Sequence, residues 1–447
     1  MHERQHLYID GAWGEPNGDG TIQVVNPANE GIIGLVPVGS ESDANAAVEA
    51  ARAAFDSWSE STVDERSNYL NLLSSALKER GEELAELITS EVGTPIEYSR
   101  MAMVGTPRVV SRSYAKILDG FVWEEEVRNS LVVKEAIGVV AMITPWNFPL
   151  HQIIGKVAPA IAAGCTMVLK PSKEAPLNAF VLADILDEIG LPAGVFNLIS
   201  GHGREIGETL ASHPEVDMVS FTGSTNAGIR VSELAAPTVK RVTLELGGKS
   251  ANIILDDADI PRAASSAIYS CFGNSGQECS ALTRLLVPEG SKEEVLEVIT
   301  SKIGRYTVGD PMEGTSKCGP LVSKRQQESV SRYISTGIDE GATLVAGARN
   351  SLVRGLNFLR GQEAFDGDLN FMRAGNGCNN TGRIADVNYH EWGHAFHYYS
   401  LQSGEFDGAM SEGIADAIAF LNTGDSIIAP HFFETGEGIR NVADDRV

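Results

Sequence analysis

Between residues 131 and 253, short apolar runs alternate with helical runs of about ten to fifteen residues. The order is LVVKEAIGVVAMITPWN, GKVAPAIAAGC, TMVLKP, APLNAFVLADILDEIG, GVFNLIS, GREIGETLAS, VDMVSFTGS and KRVTLELGG. Strands this apolar must be covered on both faces. Strands separated by helices of this length are joined in parallel, so the pattern predicts a doubly wound α/β sheet. Ligands of such sheets sit beyond the C-terminal ends of the strands.

Residues 7–40 read as short strands and turns. Ser42 or Asp43 is the expected cap of a helix running through Trp58, and a second helix follows Thr62 with Gly81 as its punctuation. A β-hairpin is expected near 122–140. From ANIILDD to the helix near 323–340 and the strand ATLVAG the pattern continues as a second α/β unit. The expected division is 1–246, 247–349 and 350–447. The last stretch differs in composition, with six arginines against fourteen acidic residues and no lysine.

A formal charge of -25 argues against a nucleic-acid or anionic-membrane partner. Five scattered cysteines, an odd number, do not make a disulfide framework. There is no run of eighteen apolar residues and no apolar stretch near the N-terminus, so the expected location is cytoplasmic.

Several segments carry candidate chemistry. In residues 241–279, Glu245 sits on a strand ending at Gly247-Gly248, and Cys279 follows the polar run Gly273-Asn274-Ser275-Gly276-Gln277-Glu278. A thiol with a carboxylate base can form and then hydrolyse a covalent intermediate. FTGSTNAG opens a helix after a strand, with Gly223, Ser224 and Gly228 in phosphate-loop positions; taken alone it reads as a bland turn and cap. ITPWNFP, with Trp146 and Asn147, reads alone as a rigid proline-flanked loop. Lys170 in LKPSKEAP, with Ser172 and Lys173 behind it, reads alone as a solvated lysine before a turn.

As a set and in this order, ITPWNFP, LKPS, FTGST, LELGGKS and GQECS resemble the aldehyde dehydrogenase superfamily, over about residues 7–347. The resemblance implies NAD or NADP as cofactor and an aldehyde as substrate. It implies Cys279 as nucleophile, Glu245 as the base that activates water, and Asn147 as an oxyanion donor. It places the cofactor against Trp146, Lys170, Ser172, Lys173, Gly223, Ser224 and Gly228. The family often has an acid three positions after the ribose-binding lysine; here that position is Lys173, followed by Glu174. The family's EIFGP-like segment is not found in the sequence. Homo-oligomers are implied, although the oligomerisation strand is also not found.

HEWGH at 390–394 sits in an apolar-periodic segment. His390 and His394 share a helix face there and can bind one Zn²⁺, with Glu391 as base. Glu412 begins a second helical pattern eighteen residues after His394. This resembles the fungalysin-type zinc metallopeptidases, which implies His390, His394 and Glu412 as ligands, a mainly helical zincin-like segment and a peptide substrate. Three readings therefore stand: aldehyde oxidation, zinc-dependent peptide hydrolysis, and an inactive fusion of two incomplete domains.

Overall fold

The computed structural model describes residues 1–346 and the backbone of three short strands beyond them, Phe358–Arg360, Ile427–Ile428 and Arg440–Asn441. Two compact units emerge, Met1–Thr336 with Leu344–Phe358, and Gly337–Thr343 with Leu359–Val447. In the second unit, Ile427–Ile428 pairs antiparallel with Arg440–Asn441. The expected zincin-like helices, with His390, Glu391, His394 and Glu412, lie outside the described residues.

The first unit is built on a seven-stranded sheet. Its order is Arg241–Leu246, Met218–Gly223, Val139–Ile143, Thr166–Lys170, Phe196–Leu198, Leu7–Ile9 and Ala12–Gly14. The first five strands are parallel, and the last two form an antiparallel hairpin on the far edge. The expected doubly wound parallel sheet is present.

Side chains alternate across the sheet as the two-residue strand period requires. Val140 and Met142 join one core with Leu70, Leu73, Ile153 and Phe180. Val139, Ala141 and Ile143 join the opposite core with Ala47, Val48, Leu210 and Val231. Strand Val139–Ile143 is therefore buried throughout, whereas the edge strand Arg241–Leu246 alternates between exposed and half-buried. Its inward residues Val242, Leu244 and Leu246 pack on the second core. That leaves Glu245 on the opposite face, where it is exposed.

The strand order places a switch point between Val139–Ile143 and Met218–Gly223. The chain leaves the first strand in one direction and returns to its other side with the second, which opens a crevice beyond the two C-terminal ends. ITPWNFP and FTGST occupy those two ends.

The helices start and stop largely where the sequence places them. Glu41–Ser59 differs: its cap is Ser40, not Ser42 or Asp43. Ser40 Oγ accepts from Asp43 N–H at 3.3 Å, and the Asp43 carboxylate accepts Ser40 N–H at 2.7 Å. Asp43 is the third residue of a capping box, so its carboxylate serves the cap instead of being it. Thr62 caps Val63–Glu79 in the same way. Gly93 ends Gly81–Val92 at φ 81°, where a side chain is strained. The expected hairpin pairs Glu124–Val127 with Ser130–Val133.

A smaller α/β element follows the edge strand. Ala251–Ile253 pairs in parallel with Arg284–Leu286. Helices Ile260–Phe272 and Lys292–Ile303 close a separate core around Ile254, Ile268, Phe272, Val295 and Ile299. Among the described residues no helix is long and apolar enough to cross a membrane.

Candidate active site

Cys279 lies in the loop after Ile260–Phe272 and is exposed. The backbone leading to it is strained: Asn274 at φ 47°, Ser275 at φ 59° and Gly276 at φ 76° are all left-handed. Buried hydrogen bonds hold it there. Thr94 Oγ1 donates to Asn274 Oδ1 at 2.6 Å. Ser275 Oγ donates to the Gly319 carbonyl at 3.1 Å and accepts Gly319 N–H at 2.9 Å. Gln277 Oε1 accepts Val322 N–H at 2.9 Å.

The two signature loops are joined directly. Asn147 Nδ2 donates to the Gln277 carbonyl at 3.0 Å, two residues before Cys279, and Asn274 Nδ2 donates to the Asn147 carbonyl at 2.9 Å. Asn147, predicted from sequence, therefore meets the thiol loop. Asn274, Thr94 and Gln277, which fix that meeting, were not singled out in the sequence. The signal available was an Asn-Ser pair flanked by glycines, a composition suited to left-handed backbone.

Glu245 reaches the same place from the sheet. Its register partner on the next strand is Thr222, whose hydroxyl donates to Gln152 Oε1 at 3.2 Å. Register partners share a face, so Glu245 looks toward helix Pro149–Ala163. One turn beyond Gln152 is Lys156, buried and pushed down to about 8 by burial, with the Glu245 carboxylate partly restoring its charge. Lys156 is a lone cation in an apolar helix run, and that was its sequence signal.

Burial raises the Cys279 thiol above its ordinary value, and the Glu278 carboxylate, then Glu245, raise it further. Backbone N–H groups of Ser280 and Cys279 itself oppose them. The other described thiols are set up differently. Burial raises Cys165, pushes Cys271 to about 11 and pushes Cys318 to about 12. Cys165 and Cys318 are buried and Cys271 half-buried, so Cys279 is the accessible thiol among the described residues.

The candidate cofactor residues lie at or just past the C-terminal ends of the parallel strands. Trp146 is half-buried against the first core. Lys170 ends its strand fully enclosed, pushed down to about 8 by burial and by the nearby Lys173. Its Nζ donates to the Pro171 carbonyl at 2.7 Å. An ammonium has three donors, so a buried one beside a single described carbonyl suits ligand hydroxyls. Lys170 is therefore not the solvated lysine of the bland reading. Ser172 Oγ accepts Glu174 N–H at 3.3 Å, and Lys173 is half-exposed with Nζ 3.8 Å from Glu174 Oε1.

Ser224 caps helix Thr225–Ala235, whose first turn is exposed and offers free N–H groups to an anion. Gly223 ends the strand before it. Gly228 is buried, and a Cβ there would come within 2.7 Å of Leu246 Cδ2. Its missing side chain is what lets this helix lie close on the edge strand carrying Glu245.

The comparisons agree with this geometry. The model of the Aldehyde dehydrogenase family matches residues 13–360. That match does not extend to His390, Glu391, His394 or Glu412. A 3-succinoylsemialdehyde-pyridine dehydrogenase of Pseudomonas sp is 48% identical over 350 residues, covering 78% of this chain and 73% of that protein. A cysteine-to-alanine mutant of aldehyde dehydrogenase C from Pseudomonas syringae, in complex with NAD+ and octanal, matches with a TM-score of 0.77 at 43% identity, over 79% of this chain and 73% of that one. Betaine aldehyde dehydrogenase from Staphylococcus aureus in complex with NAD+ matches with a TM-score of 0.75 at 35% identity, over 79% and 72%. With a sheet, a thiol loop and an amide loop arranged as above, the chain belongs to the aldehyde dehydrogenase family and is an aldehyde dehydrogenase.

Proposed function

We propose that the chain oxidises an aldehyde to a carboxylic acid with NAD or NADP, through a covalent intermediate on Cys279. The observation that supports this most is the bond from Asn147 Nδ2 to the Gln277 carbonyl. It brings a side-chain amide to the loop of the accessible thiol. A primary amide has two N–H donors. The bond to Gln277 takes one and fixes the orientation, leaving the other for a developing oxyanion.

Cys279 loses its proton and adds to the aldehyde carbonyl, giving a thiohemiacetal whose oxyanion faces Asn147 and the Cys279 backbone N–H. The bound dinucleotide supplies a hydride acceptor. Glu245 takes a proton from water, which attacks the thioester carbon and releases the acid and the thiol. Lys156 keeps a positive charge near Glu245. Lys170 holds ribose hydroxyls, and the first turn of Thr225–Ala235 with Gly223 and Ser224 lies against the pyrophosphate. Trp146 supports the Asn147 loop, and Ser172 and Lys173 border the ribose. Lys173, standing where the family often has an acid, lets a 2′-phosphate in. Residues 1–246 form the cofactor domain and 247–349 a partial catalytic domain.

Aldehyde-dependent growth of NADH or NADPH absorbance, with Cys279→Ala as control, tests the reading. Thiol-dependent turnover supports it. Folded wild type with no turnover, or a Cys279→Ala variant of equal rate, overturns it. The zinc-peptidase reading of 350–447 rests on the sequence motif, and metal content of the wild type against His390→Ala tests that separately.

A further inference from the structure

The side-chain charges felt by the Cys279 thiol are both negative, Glu278 and Glu245. Glu245 shares its helix-side face with a buried cation, Lys156, whose charge it favours. Among the described residues Glu278 is in no ion pair: its carboxylate is held by two hydroxyls, Tyr98 at 3.4 Å and Ser280 at 2.9 Å. Hydroxyls orient a carboxylate without cancelling its charge.

The Glu278–Tyr98 contact is built into the fold. Gly273 leaves the space for it, since a Cβ there would lie 3.0 Å from Glu278 Oε2 and 3.2 Å from Tyr98 Oη. The Tyr98 ring meets Phe148 edge-on at 6.2 Å, and Phe148 meets His151 in the same way. Phe148 directly follows Asn147. These contacts run from Glu278, next to Cys279, to Phe148, next to Asn147, and His151 at their end is held toward its neutral form by burial. Among these residues the one formal charge beside the thiol is that of Glu278.

We propose that Glu278, oriented by Tyr98 and Ser280, is a charge filter at the nucleophile: it disfavours aldehydes bearing a nearby carboxylate and favours neutral and cationic ones. This rests on Cys279 being the nucleophile. A carboxylate within several ångströms in a partly solvated cleft changes the local concentration of a charged substrate by on the order of tenfold, and added salt reduces the effect.

Two charge-matched pairs read the filter in the full chain. Betaine aldehyde and 3,3-dimethylbutanal differ in charge at the same shape, and so, approximately, do 4-oxobutanoate and pentanal. In the wild type at low ionic strength, kcat/KM is expected to favour betaine aldehyde, and to disfavour 4-oxobutanoate, each by about tenfold against its neutral partner. Glu278→Gln should bring both ratios toward one. If both ratios are the same in wild type and variant, the filter is wrong while aldehyde oxidation stands.

A second measurement does not need turnover. Iodoacetamide and iodoacetate alkylate the same thiolate, so its pKa cancels from the ratio of their rates at Cys279, followed on the Cys279 peptide by mass spectrometry. That ratio should fall about tenfold in Glu278→Gln. An unchanged ratio overturns the proposal even if no aldehyde is oxidised.

Discussion

Asn274 donates its side-chain amide to the carbonyl of Asn147 at 2.9 Å, joining the two loops that carry the amide and the thiol. The same amide group reaches the Gln277 carbonyl at 3.3 Å, and its oxygen accepts from Thr94. One buried side chain thus sets the spacing of the Asn147 and Cys279 loops while holding a left-handed backbone.

Asn274→Asp keeps the acceptor for Thr94 and removes both donors. We expect kcat to fall about tenfold to a hundredfold, since a misplacement near 1 Å costs that much. Iodoacetamide labelling of Cys279 should change far less. Equal losses in both would point to a collapsed loop, and no loss in kcat would exclude a positioning role.

Lys156 is charged at a cost. Burial pushes its pKa down from 10.5 to about 8, so the unfolded chain holds a proton there between those values that the folded chain does not. Stability from this group therefore rises as pH rises through about 8 to 10.5, and the penalty is complete below 8. Lys156→Met is expected to stabilise the fold at pH 7 by roughly 1–3 kcal/mol while lowering kcat, because Glu245 loses the positive charge that acts on it. Urea unfolding beside steady-state rates checks both signs. A variant less stable at pH 7 would contradict the first, and an unchanged kcat the second.

Lys173→Glu should shift the cofactor ratio. Lys173 is half-exposed and lies near Glu174, so its charge is only partly screened. A glutamate there would repel a 2′-phosphate, and kcat/KM for NADP relative to NAD should drop by about tenfold. A ratio that does not move would mean that Lys173 does not border the ribose.

The alternation of apolar strands and helices made the sheet legible, because two-sided burial and parallel crossovers leave a strong pattern. Cys279, Glu245 and Asn147 were legible as motif residues. Asn274, Lys156 and Glu278 were not, because their partners are distant in the chain: Asn147 lies 127 residues from Asn274 and Tyr98 180 residues from Glu278, while Lys156 feels Glu245 on the edge strand. The Ser40 cap was missed for a different reason: Asp43 has the composition of a cap but sits at its third position. The metal motif at 390–394 falls outside the described residues.

Glu91 gives the clearest dependence of stability on pH. It is fully buried on Gly81–Val92, and its carboxylate accepts N–H of Leu177 at 2.5 Å, N–H of Asn178 at 3.3 Å and Asn178 Nδ2 at 2.9 Å, holding the start of helix Leu177–Glu188. Those three bonds favour the charged form, yet burial outweighs them and pushes the group up from 4.5 to about 7. Between these values the folded chain binds a proton that the unfolded chain has lost. The contribution is therefore complete below about 4.5 and is lost as pH rises toward 7. Glu91→Gln keeps the shape and removes the titration. The difference in unfolding free energy between wild type and variant should grow in the variant's favour from pH 5 to pH 7, by on the order of 1–3 kcal/mol. Urea midpoints at pH 5, 6 and 7 test this. A constant difference across the three would mean that Glu91 does not titrate in this range.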